Sequence, residues 1–135
     1  MVKTEGISGL TKLFRESLTN IDDGSNILFI GSEAVCPPFA DLLAYAVRDR
    51  KMRFGFCPKA IWEKSREMHW VDGAGFQIGK EVFEPGETDV IVLLGGLAIP
   101  KVGSPVEDVR AFIAQIPRRK MVIALGLLFG HAASS

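Results

Sequence analysis

Four short hydrophobic runs, each followed by a loop carrying Gly, Pro, Ser or Cys, are the feature of this sequence that most limits its fold. They are Ile27–Ile30, Phe54–Phe56, Val90–Leu94 and Val122–Leu125. Three of them lack polar and apolar alternation, which is typical of strands covered on both faces by helices. The chain therefore favours a parallel or mostly parallel β-sheet at the centre of a three-layer α/β sandwich.

Segments with the spacing of amphipathic helices separate these runs. Their apolar positions are Ile7, Leu10, Phe14 and Leu18; Phe39, Leu42, Leu43, Ala46 and Val47; and Val106, Val109, Phe112, Ile113 and Ile116. The last segment opens with Ser104-Pro105-Val106-Glu107, which combines a Ser-x-x-Glu capping pattern with proline at the first helical position. Strand and helix thus alternate, and each parallel pair of strands is expected to cross over right-handed.

The region 58–88 breaks this alternation. Ala60–Glu67 is predicted to form a helix, and Met68–Val71 and Phe76–Phe83 are predicted to form strands around the turn-forming sequence Asp72-Gly73-Ala74-Gly75. We expect an irregular or antiparallel insertion at one edge of the sheet. Gly130–Ser135 is expected to be a loose tail.

The predicted strand order places Met52–Phe56 beside Ile27–Ile30, followed by Asp89–Leu94 and then Met121–Leu125. This is a Rossmann-like or flavodoxin-like sandwich with a sheet of four to six strands. In this order the chain reverses direction across the sheet between Ile27–Ile30 and Asp89–Leu94. Doubly wound proteins bind ligands at such a point, outside the carboxyl ends of the strands.

The two loops at this reversal, Gly31–Pro38 and Gly95–Pro100, hold most of the residues that we expect to line a small-molecule site. The predicted ligand-binding residues are Ser32, Glu33, Cys36, Cys57, Gly95 and Gly96. The first loop is neither a P-loop nor Gly-x-Gly-x-x-Gly, and Pro37-Pro38 removes backbone donors that a helix start offers an anion. The sequence therefore indicates where a ligand binds without identifying ligand, cofactor or reaction.

The two cysteines support a second interpretation, a thiol redox enzyme or metal-using protein. Cys36 precedes proline and suits a helix N-cap, where the helix dipole lowers a thiol pKa, whereas an ionised Glu33 opposes that shift. Cys57 follows a neighbouring strand and would face Cys36, with His69 and His131 completing a metal-binding set. No Cys-x-x-Cys or His-x-x-x-His motif is present, so no metal is predicted, and two merely buried cysteines are the simpler alternative.

A third interpretation involves no chemistry: a structural or regulatory interaction module, forming a homodimer through an apolar edge in the Trp70–Phe83 region. Between an enzyme and a binding module we favour binding, because no nucleophile–base pair or cofactor motif can be assembled.

Length and charge narrow these alternatives. The 135 residues fit one domain spanning 1–135, and 16 Lys and Arg balance 16 Asp and Glu, so no net field favours nucleic acid or a membrane surface. No apolar run reaches the roughly 20 residues needed to cross a bilayer, and the first residues lack a signal-type core. We expect a cytoplasmic protein.

The segment Gly31–Tyr45, with Cys36-Pro37-Pro38 at its centre, and the later Phe54–Pro58 resemble an uncharacterised protein family of methanogenic archaea, a domain of unknown function. The resemblance covers most of the chain and implies a cytoplasmic archaeal protein. It implies no activity and no catalytic residue.

Overall fold

A computed structural model shows an α/β fold built on one sheet, and it describes residues 6–31, 37–94, 106–116, 119, 121–126 and 131–134. Its helices are α1 (Gly6–Ser17), α2 (Pro37–Ala46) and α3 (Val106–Ala114). Its strands are β1 (Asn26–Gly31), β2 (Arg53–Pro58), β3 (Arg66–Val71), β4 (Gly75–Val82), β5 (Val90–Leu94), β6 (Met121–Gly126) and β7 (His131–Ser134). No helix in the described part of the chain is long and apolar enough to cross a lipid bilayer.

The strand order among the described residues is β4-β3-β2-β1-β5-β6-β7. The four central strands, β2, β1, β5 and β6, are parallel, whereas β3 and β4 at one edge and β7 at the other are antiparallel. This confirms the predicted α/β class, the predicted order of the central strands and the antiparallel insertion at an edge.

Helices cover both faces of the sheet, as the continuous apolar runs predicted. Alternate side chains of β1 point to opposite faces of the sheet. Phe29 packs with α1 and α2, whereas Leu28 and Ile30 pack on the side of α3. All three are fully buried. Full burial of such a side chain stabilises a fold by about 1.5–3 kcal/mol, so β1 contributes to two hydrophobic cores at once.

Two sequence predictions are wrong, and in both cases strand pairing overrides the local pattern. The segment Ala60–Glu67 contains only a short 3-10 turn, Trp62–Lys64, because Arg66 already pairs with Phe56 in the sheet. The expected tail contains β7, which pairs with the edge of β6 that would otherwise present unsatisfied backbone groups. Among the described residues the sheet therefore has seven strands, one more than the expected four to six.

Gly55 of β2 and the Phe83 ring lie against each other on the face of the sheet that α3 covers. Phe83 is buried, and its backbone N–H donates to the Ser65 carbonyl at 3.2 Å. A Cβ placed on Gly55 would lie 2.4 Å from Cγ of the Phe83 ring, far inside van der Waals contact. Only glycine at this position of β2 allows the ring to lie flat against the strand.

We therefore expect Gly55→Ala to lower the free energy of unfolding by about 1–3 kcal/mol, because the added methyl overpacks the core. Urea denaturation measures the change. Gly86→Ala is the matched control, since its Cβ would meet its nearest neighbour at 3.4 Å. Equal stability of the two variants would contradict the account of Gly55.

Candidate functional site

The carboxyl ends of the four parallel strands lie at one edge of the sheet. The register aligns Gly31 at the end of β1 with Pro58 at the end of β2, and Ile30 with Leu93 of β5. Leu94 is aligned with Leu125 of β6. The four strands thus end at nearly the same level, as a site formed by the loops at their carboxyl ends requires.

The chain reverses direction between β1 and β5, which are neighbours in the sheet. From β1 it passes through α2 to β2 on one side, and from β5 it passes through α3 to β6 on the other. The two helices pack on opposite faces. This is the arrangement that opens a crevice at the carboxyl edge of doubly wound sheets.

Five of the six predicted ligand-binding residues fall outside the described residues: Ser32, Glu33 and Cys36 after β1, and Gly95 and Gly96 after β5. The strands that lead into them are described and lie side by side.

Cys57, the sixth, is a buried residue of β2 that packs on the side of α3. Its Sγ donates to the Ile61 carbonyl at 3.3 Å. Burial raises the pKa of this thiol to about 11, and the charge of Glu63 adds to the rise, whereas the Ser65 hydroxyl partly opposes it. At neutral pH the thiol is protonated, which makes it a poor nucleophile and a poor metal ligand.

Little else in the described structure favours the thiol or metal interpretation. His69 lies on the β3–β4 hairpin, where its Nε2 is 2.9 Å from Oε2 of Glu81. Among the described residues no group of three or more His, Cys, Asp or Glu side chains is placed to hold a metal ion.

A strained turn at the carboxyl edge was not predicted. Lys59 and Ala60 have φ values of 55° and 57°, and the Ile61 N–H donates to the Pro58 carbonyl at 3.0 Å, as in a type I′ turn. The Lys59 N–H donates to the Gly31 carbonyl at 2.8 Å and so joins the ends of β2 and β1. A left-handed conformation costs a non-glycine residue roughly 1–2 kcal/mol, and neither lysine nor alanine signals it in a sequence.

The β3–β4 hairpin presents apolar side chains to solvent. Trp70, Ile78 and Val82 are 48%, 40% and 65% exposed. They share one face of the hairpin, the face of Met68. Trp70 and Arg66 each lie two residues from Met68 on β3 and so point the same way, while Ile78 is paired with Met68 and Val82 with Arg66. This surface lies in the region for which the sequence predicted an apolar edge.

Comparison with known proteins shows the family of this chain. The family model described as "Uncharacterized protein conserved in archaea (DUF2124)" matches residues 5–132. The chain belongs to this family. The predicted resemblance to an uncharacterised archaeal family is thereby confirmed.

Two relatives of this family member come from methanogens, and both are described only as uncharacterized proteins. One, from Methanothermobacter thermautotrophicus, is 41% identical over 108 residues, which are 80% of this chain and 65% of the relative. The other, from Methanocaldococcus jannaschii, is 36% identical over 118 residues, or 85% of this chain and 70% of the relative. The chain thus spans just under two thirds of the length of the first relative.

The fold is also similar to a solved structure, described as the crystal structure of a protein of unknown function from Methanothermobacter thermautotrophicus. The TM-score is 0.75 at 34% sequence identity, covering 93% of this chain and 76% of the other. The similarity supports the α/β fold of this chain, and neither the family description nor the descriptions of the relatives assign an activity.

Because the Cys57 thiol is buried and protonated, we expect it to resist alkylation. In a Cys36→Ser variant, iodoacetamide at pH 8 should label Cys57 about a hundredfold more slowly than it labels a free cysteine, and fully after denaturation. The raised pKa also predicts that the stability due to protonated Cys57 is intact below about pH 9 and lost as the pH rises towards 11. Rapid labelling of the native variant would contradict both expectations.

Proposed function

We propose that this protein binds a small molecule at the carboxyl edge of its sheet, in the crevice between β1 and β5. The observation that carries the proposal is the reversal of the chain between these two adjacent parallel strands. Rossmann-like and flavodoxin-like domains, which this fold resembles in its central strands, bind ligands at that point.

The residues that directly follow the two strands suit a ligand site. Gly95 and Gly96 follow β5 and carry no side chain that would keep a ligand from the backbone. Ser32, which follows β1, supplies a hydroxyl that both donates and accepts hydrogen bonds.

The strained turn at Lys59 and Ala60 supports the same edge. Backbone strain of this kind is concentrated at functional sites, where surrounding structure maintains it. The turn is bonded directly to Gly31, the last residue of β1, and Lys59 is exposed. The proposed crevice therefore lies beside an unusual backbone conformation.

Native mass spectrometry tests the proposal. Protein incubated with the low-molecular-weight fraction of a methanogen extract should retain a species that is released on denaturation. Gly95→Val, which adds a branched side chain one residue beyond β5, should reduce the retained fraction by about tenfold or more. Ser32→Ala should reduce it less.

Gly86→Ala serves as the control, because this residue lies near the amino end of β1, where the Asn26 side-chain amide donates to the Glu87 carbonyl at 2.9 Å. It should retain the species at the wild-type level. Retention that neither Gly95→Val nor Ser32→Ala diminishes, or no retained species at all, would refute a site in this crevice.

A second candidate function, a homodimeric interaction module, is favoured by the apolar face of the β3–β4 hairpin. Trp70, Ile78 and Val82 expose large apolar side chains on one side of two neighbouring strands. Contiguous exposed apolar surface is typical of interaction sites. A second copy of the chain would bury this face.

Sedimentation velocity at micromolar concentration distinguishes this candidate. We expect a dimer that the double variant Ile78→Lys, Val82→Lys converts to a monomer, because each lysine places a charge in the contact. Val71→Lys is the control, since Val71 is 45% exposed but lies on the opposite face from Trp70. A monomeric wild-type protein would remove this candidate.

A further inference from the structure

A cleft lies on the flank of α2. It has a volume of about 320 Å³ and is lined by Pro38, Phe39, Asp41, Leu42, Tyr45 and Gly75. The α2 residues recur at intervals of three and four and so form one side of the helix. Gly75, at the start of β4, forms the wall of the cleft on the side of the hairpin.

The volume lies at the lower end of the range for small-molecule sites, which are mostly apolar with a few well-placed polar groups. One aromatic ring with a short side chain is of suitable size. The charged group in the lining is the Asp41 carboxylate, and it therefore gives the cleft its chemical selectivity.

Asp41 is held in position by the hairpin. Its Oδ1 accepts a hydrogen bond from the Phe76 N–H at 2.7 Å. Gly75, at φ +85°, permits this approach, because a Cβ there would lie 3.0 Å from Oδ1 and 3.3 Å from Oδ2. That bond uses one acceptor position, whereas an ionised carboxylate offers about four.

The end of the cleft near Tyr45 is aromatic. The Tyr45 ring stacks against Trp70 with centroids 5.9 Å apart, and Trp70 in turn meets Phe76 edge-on at 5.3 Å. The Arg48 guanidinium lies 3.9 Å from the centroid of Tyr45. A ligand therefore meets the Tyr45 ring at one end of the cleft and the negative charge of Asp41 beside it, which orients a cationic group towards Asp41.

We propose that this cleft binds a small organic cation, in which an apolar body of about one ring carries an amine that pairs with Asp41. The body packs against Phe39 and Leu42, and the ammonium group donates to the carboxylate. Such charge-assisted hydrogen bonds are roughly twice as strong as neutral ones, and the half-buried position of Asp41 limits screening by solvent.

The simpler reading is that Asp41 only fastens α2 to β4 through Phe76. Asp41→Asn separates the two roles, because an asparagine oxygen accepts the same backbone hydrogen bond while the negative charge is lost. A fastening role predicts no effect of the charge on ligand choice.

The test compares 2-phenylethylamine with 2-phenylethanol, which share a body and differ in the ammonium group. Two-dimensional amide NMR should show the amine shifting resonances of α2 and of Gly75 and Phe76, with a Kd about tenfold or more below that of the alcohol at low salt. Added sodium chloride should reduce this difference.

In Asp41→Asn the two probes should bind equally. Asp22→Asn, which removes the same charge from an exposed turn, should leave the preference for the amine intact. Leu42→Trp, which fills the cleft, should weaken both probes.

No amine preference in the wild-type protein, a preference that survives in Asp41→Asn, or shifts confined to residues outside the cleft would each overturn the proposal. Should Asp41→Asn lose its folded spectrum, the salt dependence and Leu42→Trp decide the question. These outcomes are independent of ligand retention at the carboxyl edge.

Discussion

The pairing of β1 on both of its edges is the constraint on which the rest of the structure depends. Its residues are aligned at once with β2 and β5, and its side chains serve both hydrophobic cores. The Phe29 ring lies 6.0 Å from both Phe14 and Phe54, on the side of α1 and α2. A shift of one residue would exchange the two faces of β1, so register is strongly specified. That register also sets the level at which the parallel strands end, which is the edge of the sheet where the proposed binding site lies.

Polar contacts at the opposite edge hold this register. The Asp89 carboxylate accepts from the Asn26 backbone N–H at 2.9 Å, and the Asp89 N–H donates to the Asn26 carbonyl at the same distance. Asp89 is buried, so these bonds are shielded from water. Alignment of β1 with β5 is therefore secured at their amino ends.

Most of the fold could be predicted because continuous apolar runs and helical stripes are local signals. The two predictions that were wrong depend on strand pairing, which the local pattern does not show. Arg66 pairs with Phe56 in the sheet, and β7 pairs with the edge of β6. The prediction that Cys57 is a ligand-binding residue rests on its place at the end of a strand. Counting alternate positions from Phe54 and Phe56, which face α2, places Cys57 on the other side, within the core beside α3. The Lys59–Ala60 turn gave no sequence signal, since its conformation is maintained by the bond to Gly31.

The β3–β4 hairpin protects the edge of β2 and in doing so creates a new edge at β4. That edge is irregular: the pairing register shifts between Arg66 and Met68, where β4 carries extra residues that include Lys80. Bulges and lysines on edge strands oppose edge-to-edge pairing between molecules. Gly79 lies within this irregularity, where a Cβ would be 2.7 Å from both the His69 ring and the Glu81 carboxylate. The irregular β4 edge therefore disfavours a homodimer formed by extending the sheet, so the proposed homodimer would use the apolar face of the hairpin instead.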